Sequence, residues 1–587
     1  MQKGNSMQNL QHWRVLTFCQ LHIEKILLAI LSLAWAPLSF YNFDSHHDGL
    51  ILSTVTLTKS AISNGGEYPF NQYGPIWAIP FVILSSLVNP EHLFIFMRLL
   101  TVGFYFLSAF LLWKTSRFFV GAKQSIITVI LFFGCQPFTT DFGSDLVPWP
   151  SAFVMPIAMT TAYLMFSIFD EATNKQKKCF NAVGIGLLIP LVIGSRLQVG
   201  VLLLGVALYA IHLSTFSQRK YFYFLIGLLF SSILVALALF HLGWMKDAFF
   251  DQIIYGATYL TADKSTFPKP IITITGILIF ALLFKIVPLI IKLKTKFKKK
   301  SMLIFLTLVI IASVFIGMVL WHQRSIEPIN VLVILTRRFW ITFSLGALLY
   351  AVLKIYILQG RKIFAEIVQP KKIQFEILTL CAICLESQVY PLFDQMHFWW
   401  GSPLTLLVVV IILMDILNRI EIQPGFLGKW KKVSLLIILV TVLAPWSAQV
   451  GASKVAFPRS VGAMLYTSQS ESDYQHSLQK FFDRNILKGE RVLNLCEDTD
   501  VFFEQSKYIS ASRFFVYWGE PMSHSQIIYS SFLNSNPDVI VTCDLTHRPT
   551  IRETEEGLQA AILNKMRVNR DSVKIFSGKK QWAIYRF

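Results

Sequence analysis

Apolar runs of membrane-spanning length recur from residue 25 to residue 447 and then stop. Lys and Arg fall in short stretches between them: Lys114–Lys123, Lys175–Lys178, Arg219–Lys220, Lys292–Lys300, Arg361–Lys372 and Arg419–Lys432. The intervening segments 42–74, 139–150, 194–198, 243–270, 321–338 and 390–401 are poorer in both. Alternating the two sets gives about thirteen crossings by the positive-inside rule. Lys3, Arg14 and Lys25 place the N-terminus in the cytoplasm, and everything after residue 447 falls outside. The pattern predicts a polytopic α-helical membrane protein. Residues 75–89 strain it, because they are apolar yet shorter than the roughly 20 residues a span needs, and Asn89-Pro90-Glu91 separates them from the run 92–113. A re-entrant or interfacial helix is expected there. In segment 243–270, Trp244, Phe249, Phe250, Ile253, Ile254 and Tyr255 can form the apolar face of a helix lying in the interface.

From residue 448 the chain turns polar and its period changes. Ser470–Leu487 reads as an amphipathic helix, and Arg491–Cys496 and Pro537–Cys543 read as short buried strands. Val573–Phe576 and Trp582–Phe587 look like a closing pair. Two domains follow: residues 1–447, transmembrane, and residues 448–587, a small extracytoplasmic α/β domain. Asp498 and Asp544 follow strand ends, but neither has a phosphate-binding glycine loop nearby.

Composition agrees. Of 587 residues, 54% are hydrophobic and 15% charged, with a mean hydropathy of +0.54, where a soluble chain carries about a quarter charged residues. The net charge of +19 sits in the inter-helix stretches, which argues for topology and against nucleic acid. Cys381 and Cys384 lie inside an apolar run, where packing is the expected role; Cys496 and Cys543 either pair or stay free. Residues 1–24 lead into a retained helix, not a cleaved signal. No Walker A, GxSxG or HExxH pattern occurs, which removes support for ATP-driven transport, serine hydrolysis and zincin chemistry.

The first external loop, residues 42–75, gathers the polar chemistry of an otherwise oily chain. It opens with Asp44-Ser45-His46-His47-Asp48-Gly49 and closes with Gly65-Gly66-Glu67-Tyr68-Pro69-Phe70-Asn71-Gln72-Tyr73-Gly74-Pro75. An acidic motif just after the first helix, a Gly/Pro/Tyr segment leading into the next, and about a dozen helices before an extracytoplasmic domain together resemble the GT-C superfamily. These are membrane glycosyltransferases that use polyprenyl-phosphate-linked sugars, such as protein O-mannosyltransferases and the lipid A aminoarabinose transferase. The two histidines between the acids depart from the family's usual DxD or Asp-Glu pair.

Glycosyl transfer to a hydroxyl needs a base for the acceptor proton and stabilisation of the departing phosphate. Asp44, at the membrane edge after Phe43, is the candidate base. Asp48 shares that role, binds a metal or caps the following helix. Asp44, His47 and Asp48 form a candidate set for a divalent ion, Mg or Mn; otherwise no cofactor is expected. His46 and His47 either contact substrate or hydrogen-bond the loop. Glu67 is a supporting acid or a surface residue, and Gln72 and Tyr73 shape the loop or meet substrate. For the lipid phosphate, Arg196 in the short Gly194–Gln198 turn is the leading cation, followed by Arg324, Arg337 and Arg338, with snorkelling as the alternative for each. Asp394 and His397 stand three apart, share a face if helical and are secondary candidates to face the donor sugar or its phosphate; Trp399 and Trp400 beside them are expected in an interfacial belt.

The resemblance implies a hexosyl- or pentosyltransferase, inverting, that moves a sugar from a polyprenyl-phosphate carrier to a cell-envelope glycan, lipid or protein on the external face. A bacterial inner membrane is the expected location. The competing readings are a lipid-linked glycan flippase or transporter, a surface-polysaccharide polymerase or ligase, and a non-catalytic relative that binds a lipid-linked sugar.

Overall fold

The computed structural model describes residues 28–30, 33, 35–41, 47–71, 73–139, 146–255, 278, 281–282, 328–356, 372–389, 395–419, 455–458, 464–496, 499–503, 507–514, 529–543, 562–564, 573–578 and 581–586. Helices make up the first part. They are α1 (His47–Asn64), α2 (Ile79–Leu87), α3 (Leu93–Ser116), α4 (Ala122–Thr139), α5 (Pro150–Phe169), α6 (Lys175–Ile193), α7 (Leu197–Leu213), α8 (Lys220–His241) and α9 (Met245–Phe249). A π-helical turn follows at Phe250–Tyr255, then α10 (Pro328–Tyr356), α11 (Lys372–Glu386), α12 (Gln395–Gly401) and α13 (Pro403–Arg419).

Among the described residues, Pro90–Ser116, Pro150–Phe169, Lys175–Ile193 and Lys220–His241 are long and apolar enough to cross a membrane. Helix α2 is not. It has nine residues behind a 3-10 turn at Ile76–Ala78, and it stops at Val88, ahead of Asn89, whose side chain caps the 3-10 turn Pro90–His92. The long helices pack closely where glycines allow it. α6 meets α8 at Gly186 and Gly227, where an added Cβ would stand 2.2 Å from Phe224 O and 2.1 Å from Val183 O respectively. Backbone-to-backbone approach of this kind is how helices associate in lipid, where apolar burial gives little drive. The outer face of α8, including Phe222, Leu229, Phe230 and Phe240, stays exposed.

Trp399 and Trp400 on α12 anchor the helical core and do not form a belt. Both are buried; Trp399 stacks between Trp35 (6.0 Å) and Phe132 (5.0 Å) and donates to Phe132 O at 2.9 Å. An indole fully packed on both faces has no face left for the headgroup region, which corrects the sequence expectation. Cys381 and Cys384 are buried on α11, as expected for packing residues.

Among the described residues, the C-terminal part carries a five-stranded sheet of order β4-β3-β5-β7-β6. β3 (Arg491–Leu495) pairs in parallel with β4 (Ile509–Ser510) and β5 (Val539–Cys543), while β7 (Gln581–Arg586) runs antiparallel to β5 and to β6 (Lys574–Ser577). The predicted closing pair is therefore β6–β7. Helix α14 (Gln469–Asn485) covers one face, N-capped by Ser468 through the Glu471 amide. Its apolar positions Leu478 and Phe482 are buried, and Phe482 meets Trp582 edge-on at 5.4 Å. Cys496 and Cys543 are both buried and not joined in a disulfide. A two-stranded ribbon, β1 (Val455–Ala456) and β2 (Tyr466–Thr467), leads into this domain.

Candidate functional site

The end of the loop 42–75 is a packed turn. Gly74 has φ +91, and a Cβ there would lie 2.2 Å from Gln252 Nε2 and 2.5 Å from Gly194 O. Only glycine fits both the conformation and the space. The Gln252 amide donates to Tyr73 O (3.0 Å) and Ile193 O (2.8 Å), and the Ile76 amide donates to Gly194 O (3.1 Å). Asn71 ties the turn from inside: its Nδ2 donates to Gly74 O, and its Oδ1 accepts from the Tyr73 amide and the Trp77 indole. The loop is thereby fixed against the turn between α6 and α7 that carries Arg196.

Arg196 is 3% exposed, so it does not snorkel to the headgroups. Its guanidinium lies over the Tyr73 ring at 4.6 Å and donates to Ser151 Oγ at 2.7 Å. Ser151 lies in the first turn of α5, next to Trp149, which precedes the helix. Tyr73 meets Trp149 at 5.4 Å and His47 meets it at 5.6 Å, both edge to face. Trp149 stacks on Trp400 at 6.2 Å, and His397 meets Trp400 edge-on at 5.3 Å. Trp400 donates to Tyr105 Oη at 3.1 Å. His47, Tyr73, Arg196 and His397 thus come together around two tryptophans, although they span the chain from the first loop to α12.

Asp48 lies in the first turn of α1 and is fully buried. Its Oδ2 accepts from Arg98 Nη2 at 2.5 Å, and Arg98 Nη1 donates to Ser39 O (3.2 Å) and Tyr41 O (2.9 Å). Arg98 also lies over the Phe94 ring at 4.7 Å. The guanidinium therefore joins the chain entering the loop to the first turn of α1. One oxygen of Asp48 is committed to a cation of the protein. Among the described residues no three His, Cys, Asp or Glu side chains gather in a way that could hold a metal ion. Asp44, the remaining member of the expected metal set, lies outside the described residues.

The C-terminal domain reaches this loop at three places. Tyr41 bridges to Tyr466 with rings 5.7 Å apart. Phe503, in the segment after β3, packs on Gly49, where an added Cβ would stand 2.4 Å from the ring. Arg513, after β4, forms a two-pronged pair with Asp251 of the π-helical turn: Nη2–Oδ1 is 2.5 Å and Nη1–Oδ2 is 3.1 Å. Asp251 Oδ2 also accepts from the Asn71 amide at 3.0 Å, Arg513 Nη1 donates to Tyr68 O at 3.2 Å, and Arg513 O accepts from the Phe70 amide at 2.9 Å. Burial pushes the Asp251 carboxyl up to about 6 against the pull of Arg513, and Asp247 adds to the rise. The Tyr68 phenol is raised well above its ordinary value, by burial first and then by Asp251.

Of the other sequence candidates, Asp44, His46, Gln72, Arg324 and Asp394 lie outside the described residues. Glu67 is exposed on the segment leaving α1. Arg337 and Arg338 lie on α10, with side chains outside the description. The interfacial face expected at 244–255 is divided. Trp244 is buried, packs on Tyr68 at 5.3 Å and donates to Gly66 O at 3.1 Å, while Met245, Phe249 and Ile253 are exposed. Sequence reasoning missed Arg98, Trp149, Asp251 and Arg513. Arg98 had a signal, being a lone cation inside the apolar run 92–113. Asp251 and Arg513 had none, since their pairing spans 262 positions.

No protein-family model matches the chain, and no curated protein matches it. Among the solved structures to which it is similar are those of ArnT and of an archaeal oligosaccharyltransferase. ArnT from Cupriavidus metallidurans in the apo state aligns with a TM-score of 0.41 at 11% identity, over 98% of this chain and 98% of that one. The same protein bound to undecaprenyl phosphate gives 0.38 at 10% identity, over 95% and 97%. The archaeal oligosaccharyltransferase AglB from Archaeoglobus fulgidus, in complex with an inhibitory peptide and a dolichol-phosphate, gives 0.45 at 11% identity, over 89% of this chain and 70% of that one.

Proposed function

We propose that this chain is an integral membrane glycosyltransferase that takes a sugar from a polyprenyl-phosphate carrier and gives it to a cell-envelope acceptor on the external face. The observation that supports this reading most is the gathering around Trp149 of His47 from the acidic motif, Tyr73 from the loop's end and Arg196 from the α6–α7 turn. Histidine, a phosphate-binding type of cation and flat aromatic faces are what a sugar phosphate calls for.

In this mechanism the acceptor hydroxyl attacks the anomeric carbon, the carbon–oxygen bond to phosphate breaks, and the lipid phosphate leaves as an anion. Asp44 takes the acceptor proton. Arg196 faces the departing phosphate, with its plane held by Tyr73 and Ser151. Asp48 keeps the first turn of α1 in place through Arg98 and leaves the proton transfer to Asp44. Inversion at the sugar, a hexosyl or pentosyl donor, help from Mg or Mn held by Asp44, His47 and Asp48, and supporting contacts from His46, Glu67, Gln72, Arg324, Arg337, Arg338, Asp394 and His397 belong to the same reading. So do about thirteen crossings, a bacterial inner membrane, a cytoplasmic N-terminus and an extracytoplasmic domain from residue 448.

The test is transfer of radiolabelled sugar from undecaprenyl-phosphate carriers in membranes holding native protein, Asp44→Asn or Arg196→Ala. Native transfer that either substitution reduces about a hundredfold, with the protein still folded, supports the reading. Equal transfer by all three moves the catalytic centre elsewhere. Lipid translocation without transfer favours the flippase reading.

A further inference from the structure

We infer that Arg513 of the C-terminal domain is a positioning residue for the first external loop. It clamps the Tyr68–Asn71 segment to the Phe250–Tyr255 turn and so sets where Tyr73 and Gly74 lie beside Arg196. The Arg513 side chain grips Asp251 with two nitrogens and the loop backbone at Tyr68 O, and its own carbonyl receives the Phe70 amide. Asp251, held by Arg513, receives the Asn71 amide. Asn71 then fixes the Tyr73 amide, Gly74 O and the Trp77 indole. Gln252, the next residue on the π-helical turn, holds Tyr73 O and Ile193 O, one residue before the Gly194–Arg196 turn. Phe514 closes the clamp from the domain side, its ring 5.2 Å from Phe70 and 4.5 Å from the guanidinium.

The geometry calls for arginine. A planar fork satisfies both carboxylate oxygens and a carbonyl together, which an ammonium group cannot do in one pose. Asp251 is fully buried and Arg513 is 9% exposed at its side chain, so solvent substitutes poorly for either partner. Tyr68 and Asn71 come from the first loop, Asp247 and Asp251 from the segment after α8, and Arg513 and Phe514 from the sheet domain. The domain is thereby coupled to the loop that bears the candidate site. The catalytic consequence rests on the transferase reading; the clamp does not.

The test uses full-length protein in detergent and compares native, Arg513→Gln and Arg513→Lys. Amide exchange over residues 67–74 reads the clamp, and exchange over β3 and β5 reports whether the domain stays folded. Transfer from undecaprenyl-phosphate-linked glucose, mannose and arabinose reads the consequence. Arg513→Gln is expected to speed exchange at Phe70 and Asn71 about tenfold or more with β3 and β5 unchanged. It also lowers the maximal transfer rate about tenfold while the donor KM moves less than about threefold, and Arg513→Lys restores part of both. Native exchange at Phe70 and Asn71 in Arg513→Gln overturns the inference, and so does faster exchange with an unchanged maximal rate. If native protein transfers none of the three sugars, the exchange result alone decides the clamp, and the transferase reading falls. If Arg513→Gln loosens β3 and β5 as well, the pair Asp251→Asn/Arg513→Gln, which leaves no lone buried charge, is judged by the same outcomes.

Discussion

Asp48 and Arg98 stand fifty positions apart in sequence and 2.5 Å apart in space, both buried. The contact defines how the acidic motif is held. Arg98 uses one nitrogen for the carboxylate and another for the carbonyls of Ser39 and Tyr41, so a single side chain fastens the chain just ahead of the loop to the start of α1. Removing one member takes the ion-pair partner from the other in a place water does not reach, which costs about 3–5 kcal/mol in comparable buried pairs. Arg98→Met is therefore expected to lower the thermal midpoint sharply in detergent. Asp48→Asn/Arg98→Met, which removes both charges, is expected to recover most of that loss. A single Arg98→Met variant as stable as native protein would show that the pair is not structural.

Arg196 and Tyr73 give the second expectation. The guanidinium face lies on the ring and its edge reaches Ser151 Oγ. Arg196→Lys keeps the charge but loses both the flat stacking and the forked donors. Binding of undecaprenyl phosphate, measured by tryptophan fluorescence or calorimetry, is expected to weaken about tenfold, or about 1.4 kcal/mol. Arg337→Lys, on α10, serves as a comparison at a second candidate position. An undiminished affinity in Arg196→Lys would take the phosphate role away from this residue.

The sequence was legible where the signal is local. The short apolar stretch 75–89 becomes the nine-residue α2, Ser470–Leu487 becomes α14, and the Arg491–Cys496 and Pro537–Cys543 strands become neighbours in one sheet. Period, length and flanking turn residues carry that information. The site was legible only as types of residue. His47, Tyr73, Arg196 and His397 were named from motif and charge, but nothing local told that Trp149 and Trp400 join them. Trp399 and Trp400 misled because aromatic residues near a membrane surface serve belts and cores alike. Whether the partner is lipid or Phe132 is set by tertiary packing. Arg98 could have been read as a cation in a helix that demands a partner; Asp251 and Arg513 could not.

Asp251 sets a pH dependence whose sign runs opposite to that of an ordinary exposed ion pair. Its carboxyl moves from 3.8 up to about 6, because burial outweighs the attraction of Arg513. A raised acid binds its proton more tightly in the folded state, so its contribution to stability is complete below about pH 4. It declines as pH rises to about 6, by about 3 kcal/mol at most, and is flat above that. The charged and titratable groups around it are Arg513, Asp247 and Tyr68. The difference in thermal midpoint between native protein and Asp251→Asn, followed from pH 4 to 7, is expected to change with pH in favour of Asn, which mimics the protonated acid. A difference that stays constant across the range would mean that Asp251 keeps its ordinary carboxylate range.

Gly49 and Phe503 bring the C-terminal domain into direct contact with the acidic motif. An added Cβ at Gly49 would lie 2.4 and 2.6 Å from two ring carbons of Phe503 and 3.3 Å from Thr499 Oγ1. Gly49 is helical, so its backbone does not require glycine; the space taken by the ring does. In an exposed helix, Gly→Ala gains about 1 kcal/mol. Here the same change forces Phe503 out of a buried position at the foot of the sheet domain, and overpacking of this kind costs about 1–3 kcal/mol. Gly49→Ala is therefore expected to destabilise the docked domain, seen as faster proteolysis between residues 448 and 587. Gly49→Ala/Phe503→Leu, with room for the methyl, is expected to regain most of the resistance. Gly205→Ala, on α7 with no atom within 4 Å of the new methyl, is the matched control and is expected to be neutral or stabilising. Equal behaviour of Gly49→Ala and Gly205→Ala would mean that the domain yields at Phe503 without loss, and that its hold on the loop resides in Arg513 and Tyr466 alone.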